Sequence, residues 1–458
     1  MANTLPSDLC RAAELLQARE LSSVQLTTAC LERIAARNDS LRAFITVMAD
    51  QALADAARAD AEIAGGHYRG ALHGIPVSIK DLVDVAGTPT TGGSAVTPRH
   101  PVHDAPVVRN FRRAGAVIIG KTNLHEFAYG TTSDETAFGA VRHPQDPSRS
   151  PGGSSGGAAV SIVEGMAMGA LGTDTGGSIR IPAAVCGIVG LKPTYGEISC
   201  DEVVPLSTTL DHVGPLARTV RDCVALYFAM RDGDVAPSFA APAAQPSWLG
   251  IPQGYFFEKL DDDTRELFDR ARATLERAGH SISNVTIPLV ERTPDVYLHI
   301  GLPESAWYHA PMLTAEAEKY SPGVRRRIEL GRYVLAEDYL RAMHARDVLR
   351  RHVDKALEGL DALLLPTLPI GAPVIGASSV RVGSADEPLR AIMLRLTQLF
   401  DITGHPAIAL PCGAGTDGFP RSVQLVGHRG GTERLLDVAA AIEAQIAGGS
   451  GSVGGGVG

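Results

Sequence analysis

The sequence predicts an α/β protein in which a β-sheet is covered by helices. Short apolar segments typical of buried strands alternate along the chain with segments of helical character. The chain has 458 residues, of which 45% are hydrophobic and 20% charged, so it is long enough to form a large buried core.

The chain begins with a helical region, residues 7–63. Ser22 and Gln25 have the spacing of a capping box, and apolar side chains then recur at helical intervals from Leu26 to Ile34. An alanine-rich segment follows and stops at two consecutive glycines, 65–66, which suit a helix C-terminus. We therefore expect residues 1–65 to be helical.

Strand patterns begin after this region. Alternating apolar residues from Ile75 to Ile79 predict a strand that ends at Lys80. A second apolar strand, 116–119, precedes the helix-like stretch T-N-L-H-E-F-A. Residues 166–173 are a candidate for a further buried element, and apolar runs bounded by proline follow at 362–365 and 407–410. A strand is predicted at 422–426 and a helix from Thr432 to about Ile446.

Two segments have the composition of connections. Residues 231–250 are rich in proline, glycine and alanine and predict a surface connection. Residues 447–458 are mainly glycine and serine and predict a disordered tail.

Charge and cysteine spacing exclude several classes of protein. A net charge of −9 without a basic cluster argues against a nucleic-acid partner. The six cysteines are widely spaced, which disfavours a disulfide framework and predicts reduced thiols in or near the core. The sequence shows neither a secretory signal nor an apolar run long enough to cross a bilayer. We therefore expect a cytoplasmic protein without membrane association.

Two loops rich in glycine and serine lie close together, S-P-G-G-S-S-G-G at 150–157 and G-T-D-T-G-G-S-I-R at 172–180. Neither loop has the lysine that a phosphate-binding P-loop requires. The residues around Ser154 match the G-x-S-x-G of α/β-hydrolases, but the proline-rich segment before them cannot form the strand that this motif needs. Both functions are therefore disfavoured.

A third interpretation combines these serines with Lys80. A serine hydroxyl is a weak nucleophile and needs a neighbouring base. A neutral lysine can be that base, and lowering its pKa from about 10.4 to about 7 requires roughly 4–5 kcal/mol of desolvation or charge interaction. Lys80 ends an apolar strand, which would place its side chain inside the fold, and a second serine between base and nucleophile would relay the proton.

Together these motifs resemble the amidase signature family of serine hydrolases. The resemblance rests on G-G-S-S-G-G, on G-T-D-T-G-G-S-I-R-I-P-A-A-V-C-G-I-V-G-L-K-P-T, on G-I-P-V-S-I-K-D, on G-K-T-N-L-H-E-F-A-Y-G and on L-D-H-V-G-P. It implies a single large α/β domain over residues 1–446 with its signature core at 70–222. The implied sheet is central and mixed, and α-helices cover both of its faces.

The resemblance also implies a catalytic triad. In it, Lys80 is the base, Ser154 relays the proton and Ser178 is the nucleophile that forms an acyl-enzyme. The peptide bond between Gly153 and Ser154 is implied to be cis.

Three further groups of residues surround this triad. The expected oxyanion-hole donors are the backbone N–H groups of Thr175, Gly176 and Gly177. The residues expected to brace the two loops are Ser155, Asp174 and Arg180. The residues matching the segment that lines the acyl pocket are Ala128, Tyr129 and Gly130.

No metal or other cofactor is expected. The H-E-F-A-Y at 125–129 differs from the H-E-x-x-H of zinc peptidases, and His100 and His103 lie in a proline-rich stretch. Trp307 and Tyr308 fall where the resemblance is weak and where members of the family form variable walls of the substrate pocket. Of a pocket wall and the core, we expect the core for both.

Two functions fit the resemblance. One is a free-standing hydrolase of carboxamides, anilides or carbamates, and the other is the glutaminase (A) subunit of a tRNA-dependent amidotransferase. Ile181 precedes Pro182 here, where transferase subunits typically have glutamine, and this favours the hydrolase. The expected partner is a small-molecule amide or carbamate, and the expected assembly is a monomer or a homodimer.

Overall fold

The computed structural model describes residues 5–232 and 245–449. Within them, the helices are α1 Leu9–Gln17, α2 Ser23–Leu41, α3 Ala49–Ala64, α4 Pro106–Arg113, α5 Gly156–Val163, α6 Arg180–Cys186, α7 Val220–Met230, α8 Asp262–Arg277, α9 Thr293–Glu316, α10 Pro322–Leu330, α11 Ala336–Ala356, α12 Leu389–Leu394, α13 Gln398–Thr403 and α14 Thr432–Gly449. The strands are β1 Phe44–Val47, β2 Pro76–Lys80, β3 Val117–Thr122, β4 Gly169–Asp174, β5 Val189–Lys192, β6 His212–Ala217, β7 Trp248–Pro252, β8 Ser281–Val285, β9 Ala362–Pro366, β10 Ser379–Val382, β11 Ala385–Pro388, β12 Ala407–Ala414 and β13 Pro420–Val426.

Eleven of these strands form one sheet in the order β1-β3-β2-β4-β6-β5-β12-β13-β9-β7-β8, and β10 and β11 form a separate hairpin. Strand β2 runs parallel to β3 and β4, and β7 runs parallel to β8 and β9. The other neighbouring strands are antiparallel. The predicted fold class, a mixed sheet in one α/β domain, is therefore confirmed.

Helices pack on both faces of this sheet. Successive residues of a strand point to opposite faces, so Ala170 and Leu171 on β4 enter two different apolar clusters. Ala170 packs in the cluster that contains Ala158 and Ala159 of α5, whereas Leu171 packs in the one that contains Leu226 of α7. The sheet is therefore buried on both sides at β4, the strand that leads into the loop of Ser178.

The N-terminal region differs from the expectation that residues 1–65 are helical. The Ser22–Gln25 capping box forms and begins α2, and α3 ends at Gly65 as predicted. Between these helices, however, β1 pairs antiparallel with β3. Because β1 has only four residues, it is too short to interrupt a helical pattern in the sequence.

The helix expected in T-N-L-H-E-F-A does not form. Only a single 3₁₀ turn spans Glu126–Ala128, and Phe127 and Ala128 have φ values of 49° and 61°. Left-handed backbone at two consecutive residues cannot continue a right-handed helix. The prediction failed because the left-handed conformation is imposed by tertiary packing.

Several further predictions concern the surface and the segments between elements. Most of the connection predicted at 231–250, residues 233–244, lies outside the described residues, and its last residues begin β7. Helix α14 continues to Gly449, and the remainder of the predicted tail also lies outside them. Trp307 is 72% exposed on α9, so its expected core position is wrong, whereas Tyr308 packs against the core.

All six cysteines lie in the described part of the chain. None forms a disulfide; four are buried and two are partly buried. Of the helices within 5–232 and 245–449, none has the length and apolar character to cross a membrane.

Candidate active site

The two glycine–serine loops meet at the end of neighbouring parallel strands. Ile79 of β2 pairs with Leu171 of β4, so Lys80 at the end of β2 lies beside Thr173, two residues further along β4. The loop that contains Ser154 leads into α5, and residues 175–179 connect β4 to α6. Since parallel strands end at the same edge of a sheet, the three segments converge there.

The Lys80 amine lies among three hydroxyl groups. Its Nζ atom is 2.8 Å from the Oγ atoms of Ser154 and Ser155 and 2.8 Å from Oγ1 of Thr173. Lys80, Ser154 and Ser155 are completely buried. Each contact is with a neutral hydroxyl, and no carboxylate within residues 5–232 or 245–449 pairs with this amine at ion-pair distance.

This hydrogen-bond arrangement suits a neutral amine. The Ser155 hydroxyl lies 3.2 Å from the carbonyl oxygen of Thr173, to which it donates, so it accepts from Lys80. A neutral amine has two N–H donors and one lone pair. If it donates to Ser155 and Thr173, its lone pair faces the hydroxyl proton of Ser154. The geometry therefore prepares Ser154 to lose its proton to Lys80.

Electrostatics favour the same protonation state. Burial lowers the pKa of Lys80 to about 7, although the negative charges of Asp174 and Asp211 act in the opposite direction. Desolvation penalises the charged form of an amine, and the nearby hydroxyls do not replace the lost hydration fully. A substantial neutral fraction is therefore present near pH 7.

Ser178 lies next to the loop that carries Ser154. The backbone N–H of Ser155 donates to the carbonyl oxygen of Ser178 at 3.2 Å, and the Gly153–Ser154 peptide bond is cis, as the family resemblance implies. Ser178 is 6% exposed, whereas Lys80 and Ser154 are completely enclosed. The Ser178 hydroxyl makes no hydrogen bond within the described ranges. Of the three predicted catalytic side chains, Ser178 is thus the one that faces outward.

The structure differs from the expected oxyanion hole at Gly177. Its N–H donates to Oδ1 of Asp174 at 2.6 Å and is therefore not free to bind an oxyanion. The backbone N–H groups of Thr175, Gly176 and Ser178 have no partner in the part of the chain that the structure describes. We accordingly replace Gly177 with Ser178 among the candidate donors.

Glycine is required at 177 for a steric reason. Its φ is +136°, and an added Cβ would overlap the Thr397 side chain. Thr397 in turn donates to the carbonyl oxygen of Gly176 at 2.5 Å. The conformation of this loop thus depends on contacts with Thr397, a residue that the sequence analysis did not identify.

The side chains of Asp174 and Arg180 stabilise the conformation of the 175–179 loop. The Asp174 carboxylate accepts from the N–H groups of Gly177 and Ile179 and from Nε of Arg180 at 3.0 Å. Burial alone would raise the pKa of Asp174, but the Arg180 guanidinium holds it well below its usual range. Arg180 also donates to Oδ2 of Asp401 at 2.6 Å. These contacts hold the two ends of the 175–179 loop together.

The predicted acyl-pocket segment, residues 128–130, is buried in the fold. Ala128 and Tyr129 are 4% and 2% exposed. Gly130 packs so closely against the His125 ring that any side chain there would overlap the imidazole. Close packing therefore explains the glycine, and Tyr129 remains the candidate for substrate contact.

Sequence reasoning missed several residues at the site. Thr173 belongs to the quoted G-T-D-T motif, so the motif contained a usable signal. Three others lie far along the chain and gave none, because only the fold brings them to Arg180: Thr397, Asp401 and Gln424. As for metals, no group of three or more His, Cys, Asp or Glu residues that suits an ion occurs among the described residues.

Comparison with known proteins gives similarity over nearly the whole chain. The Amidase family matches residues 25–436. An amidase of Pseudomonas putida is 38% identical over 425 residues, which cover 90% of each chain. The A subunit of the glutamyl-tRNA(Gln) amidotransferase of Heliobacterium modesticaldum is 35% identical over 468 residues, covering 94% of this chain and 95% of that protein.

Solved structures give the same result. A crystal structure of an amidase superimposes with a TM-score of 0.90 at 37% identity and covers 95% of this chain and 99% of that one. The native peptide amidase from Stenotrophomonas maltophilia superimposes with a TM-score of 0.82 at 30% identity, covering 96% and 97% of the two chains. The similarity therefore extends well beyond the two glycine–serine loops.

Proposed function

The chain belongs to the amidase signature family, and from this membership we propose that it is a free-standing amidase that forms an acyl-enzyme on Ser178. Members of the family act on C–N bonds as hydrolases. In the proposal, Lys80 is the base and Ser154 carries the proton between Lys80 and Ser178.

The proposed reaction begins with the neutral Lys80 amine. Its lone pair takes the hydroxyl proton of Ser154, which takes the proton of Ser178 as the Ser178 oxygen bonds to the substrate carbonyl carbon. The resulting oxyanion is bound by the N–H groups of Thr175, Gly176 and Ser178, and one such donor is worth about 3 kcal/mol. The C–N bond then breaks as the proton returns by the same route to the leaving amine. Water hydrolyses the acyl ester, again with Lys80 as the base, and regenerates the Ser178 hydroxyl.

One observation carries this proposal, the enclosure of Lys80 by hydroxyl groups alone. A lysine paired with a carboxylate would stay protonated and could not accept a proton. Here the amine contacts Ser154 at 2.8 Å, and burial lowers its pKa to about 7. Perturbed pKa values of this kind are typical of catalytic bases.

The substrate range proposed is carboxamides, anilides and carbamates. All three pass through a tetrahedral oxyanion on the same carbonyl carbon, so one set of N–H donors serves them equally. The finer choice among them depends on the side chains that contact the acyl group, for which Tyr129 is a candidate.

A second candidate function is the glutaminase subunit of a tRNA-dependent amidotransferase. The similarity to the Heliobacterium modesticaldum protein, 35% identity over 94% of this chain, favours it. Ile181 and the slightly higher identity to the Pseudomonas putida amidase, 38%, support the free-standing hydrolase instead.

The test compares amine release from an anilide and a carbamate with ammonia release from glutamine, using the isolated chain. We expect the isolated chain to hydrolyse the anilide or the carbamate. We also expect kcat/KM to rise with pH to a plateau, with a midpoint near 7, because Lys80 must be neutral. Ser178→Ala should lower kcat by several orders of magnitude while the circular dichroism spectrum is unchanged. Turnover of glutamine alone would favour the amidotransferase function, and normal turnover by Ser178→Ala would refute the nucleophile.

A cytoplasmic location and a monomeric or homodimeric assembly complete the proposal. The six free cysteines support the location, because thiols remain reduced in the cytoplasm. Fractionation of the source cells tests the location, and sedimentation velocity of the purified chain tests the assembly.

A further inference from the structure

Arg390 on α12 is an arginine without an acceptor. Its side chain is partly buried, its Nε atom is enclosed, and it makes neither a hydrogen bond nor an ion pair with any residue in 5–232 or 245–449. A guanidinium has five donors and no acceptor, so it needs a partner when it leaves water. The donors of this partly buried guanidinium are therefore open to a ligand.

The position of Arg390 connects it to the nucleophile loop. Leu394 lies four residues later on the same helix, and a Cβ added to Gly176 would meet Leu394 at 3.1 Å and the Tyr297 hydroxyl at 2.9 Å. Residues four apart on a helix lie on the same face. Arg390 therefore faces the same side of α12 as the residue that contacts the candidate oxyanion loop.

Among the described residues, the groups that interact electrostatically with Arg390 include no carboxylate. Arg390 interacts with the phenols of Tyr297 and Tyr129 and is repelled by Arg327. Burial raises the pKa of both phenols, so they remain neutral donors. The Tyr297 hydroxyl makes no hydrogen bond with other described residues.

Arg327 provides an internal comparison. Its guanidinium carbon lies 5.9 Å from the centre of the Tyr129 ring, and its Nη2 pairs with Glu135 at 2.7 Å. One of the two arginines near Tyr129 is thus neutralised by the protein and the other is not. The cluster carries one uncompensated positive charge beside the predicted acyl pocket.

We propose that Arg390 binds a carboxylate of the substrate, so that the preferred substrates are amides whose acyl group carries a carboxylate. This inference rests on the amidase function proposed above. Arg390 donates its planar pair of N–H groups to the carboxylate, and the Tyr297 hydroxyl donates beside it. A neutral acyl group of the same length leaves the guanidinium desolvated and unpaired, which reduces its binding.

The test uses matched pairs of primary amides. Malonamate, succinamate, glutaramate and adipamate are each compared with the neutral alkanamide of equal chain length, and kcat/KM is measured by ammonia release. At the best chain length we expect the carboxylate to raise kcat/KM about 10- to 100-fold, mainly through KM, because hydrogen bonds to charged groups have this strength. The chain length at which the carboxylate raises kcat/KM most indicates how far Arg390 lies from Ser178.

Two substitutions at Arg390 test whether this residue causes the preference for carboxylate-bearing amides. Arg390→Gln should remove the preference by raising KM for the carboxylate substrate, while kcat/KM for the neutral amide stays the same or rises, because no guanidinium is then left unpaired. Arg390→Lys should restore part of the preference, since it keeps the charge but loses the planar fork. The matched control is Arg326→Gln, which removes one positive charge from an exposed position next to Arg327 and should leave the preference intact.

Equal kcat/KM for the two members of every pair would overturn the proposal, as would an Arg390→Gln variant that slows both substrates equally. If Arg390→Gln does not fold, inhibition of wild-type anilide hydrolysis decides: the dicarboxylates succinate and glutarate should compete with a neutral anilide, and no competition would refute the site. Failure of the proposed function has a separate readout. If hydrolysis does not depend on Ser178, calorimetric titration of glutarate into Ser178→Ala still measures binding at Arg390.

Discussion

At the residue scale, Lys80 combines burial with hydrogen bonding in a way that favours catalysis over stability. In the unfolded chain the Lys80 amine is surrounded by water, whereas in the folded protein it contacts three hydroxyl oxygens at 2.8 Å. Hydroxyl dipoles satisfy the N–H groups but stabilise the positive charge less than water does. The same desolvation that makes Lys80 a base therefore destabilises the folded state whenever Lys80 is charged.

This conflict predicts a pH-dependent stability difference between wild type and Lys80→Met. The pKa of Lys80 is about 7 in the folded protein and 10.5 in the unfolded chain, so between these values the unfolded chain binds more protons and wild-type stability rises with pH. The penalty from Lys80 is complete below pH 7 and disappears above pH 10.5. Relative to wild type, the methionine variant should therefore gain more in Tm at pH 6 than at pH 9, although it is inactive.

The control for this measurement is Lys355→Met, which removes an exposed lysine. Its Tm difference from wild type should be small and nearly independent of pH. A Lys80→Met difference that is equally independent of pH would mean that Lys80 is charged in the folded protein and cannot be the base.

At the element scale, the position of Ser154 and Ser155 depends on how closely α5 approaches the rest of the chain. The N–H of Gly157, in the first turn of α5, donates to the carbonyl oxygen of Asn123 at 3.1 Å. A Cβ at this position would overlap the backbone oxygens of Ala43 and Asn123. Backbone atoms cannot move aside as a flexible side chain can, so a larger residue must displace the helix.

Gly157→Ala should consequently shift the start of α5 and move Ser154 away from Lys80. We expect kcat/KM to fall at least 10-fold and the free energy of unfolding to decrease by about 1–3 kcal/mol, the range for overpacking a tight site. Steady-state kinetics and urea unfolding measure the two effects. Gly65→Ala is the matched control because its nearest atoms are 3.4 and 3.5 Å from an added Cβ, and it should change neither quantity.

Elements differ in how far the sequence predicts them. Strands β3 and β9 and the first half of β12 were recognisable because they are buried on both faces and have continuous apolar runs in the sequence. Strand β8 was not, because it lies at the edge of the sheet and most of its residues are exposed, which leaves no apolar alternation. The left-handed turn at Phe127 and Ala128 likewise depends on packing that no local pattern contains.

The residues of the candidate site also differ in how far the sequence predicts them. Lys80, Ser154 and Ser178 lie in contiguous motifs and could be assigned roles from sequence. The direction of the Gly177 N–H could not be assigned, because it depends on the position of the Asp174 carboxylate. Arg390 gave no signal either, since it lies more than 200 residues beyond the nucleophile loop and only the fold brings its helix there.

At the scale of the whole molecule, Arg180 joins the nucleophile loop to the C-terminal part of the chain. Its guanidinium donates to Asp174 beside the loop, to the carbonyl oxygen of Thr397, to Asp401 on α13 and to Gln424 on β13. All of these groups are fully buried or nearly so. The loop that carries Ser178 is therefore held in place by contacts with residues over 200 positions away.

The two carboxyl groups that Arg180 contacts are not equivalent. Burial and the neighbouring Asp174 raise the pKa of Asp401 well above its usual range, whereas the Arg180 guanidinium keeps the pKa of Asp174 low. The cluster thus consists of the pair of Arg180 with Asp174, whose pKa is held low, and of Asp401, whose pKa is raised.

This asymmetry predicts two different costs of substitution. Arg180→Met leaves the charged Asp174 buried without its partner and should decrease the free energy of unfolding by about 3–5 kcal/mol, the range for breaking a buried pair. Asp401→Asn replaces a carboxyl whose negative charge is already disfavoured by burial and by Asp174 with a neutral amide of the same shape, so it should cost about 1 kcal/mol or less. Urea unfolding of both variants at pH 7, with kcat/KM measured in parallel, distinguishes them. Equal destabilisation would contradict the prediction, because it would mean that the Asp401 carboxyl contributes as much stability as the pair of Arg180 with Asp174. Asp174 also holds the Gly177 N–H in place. Arg180→Met should therefore lower kcat/KM, whereas Asp401→Asn should retain activity.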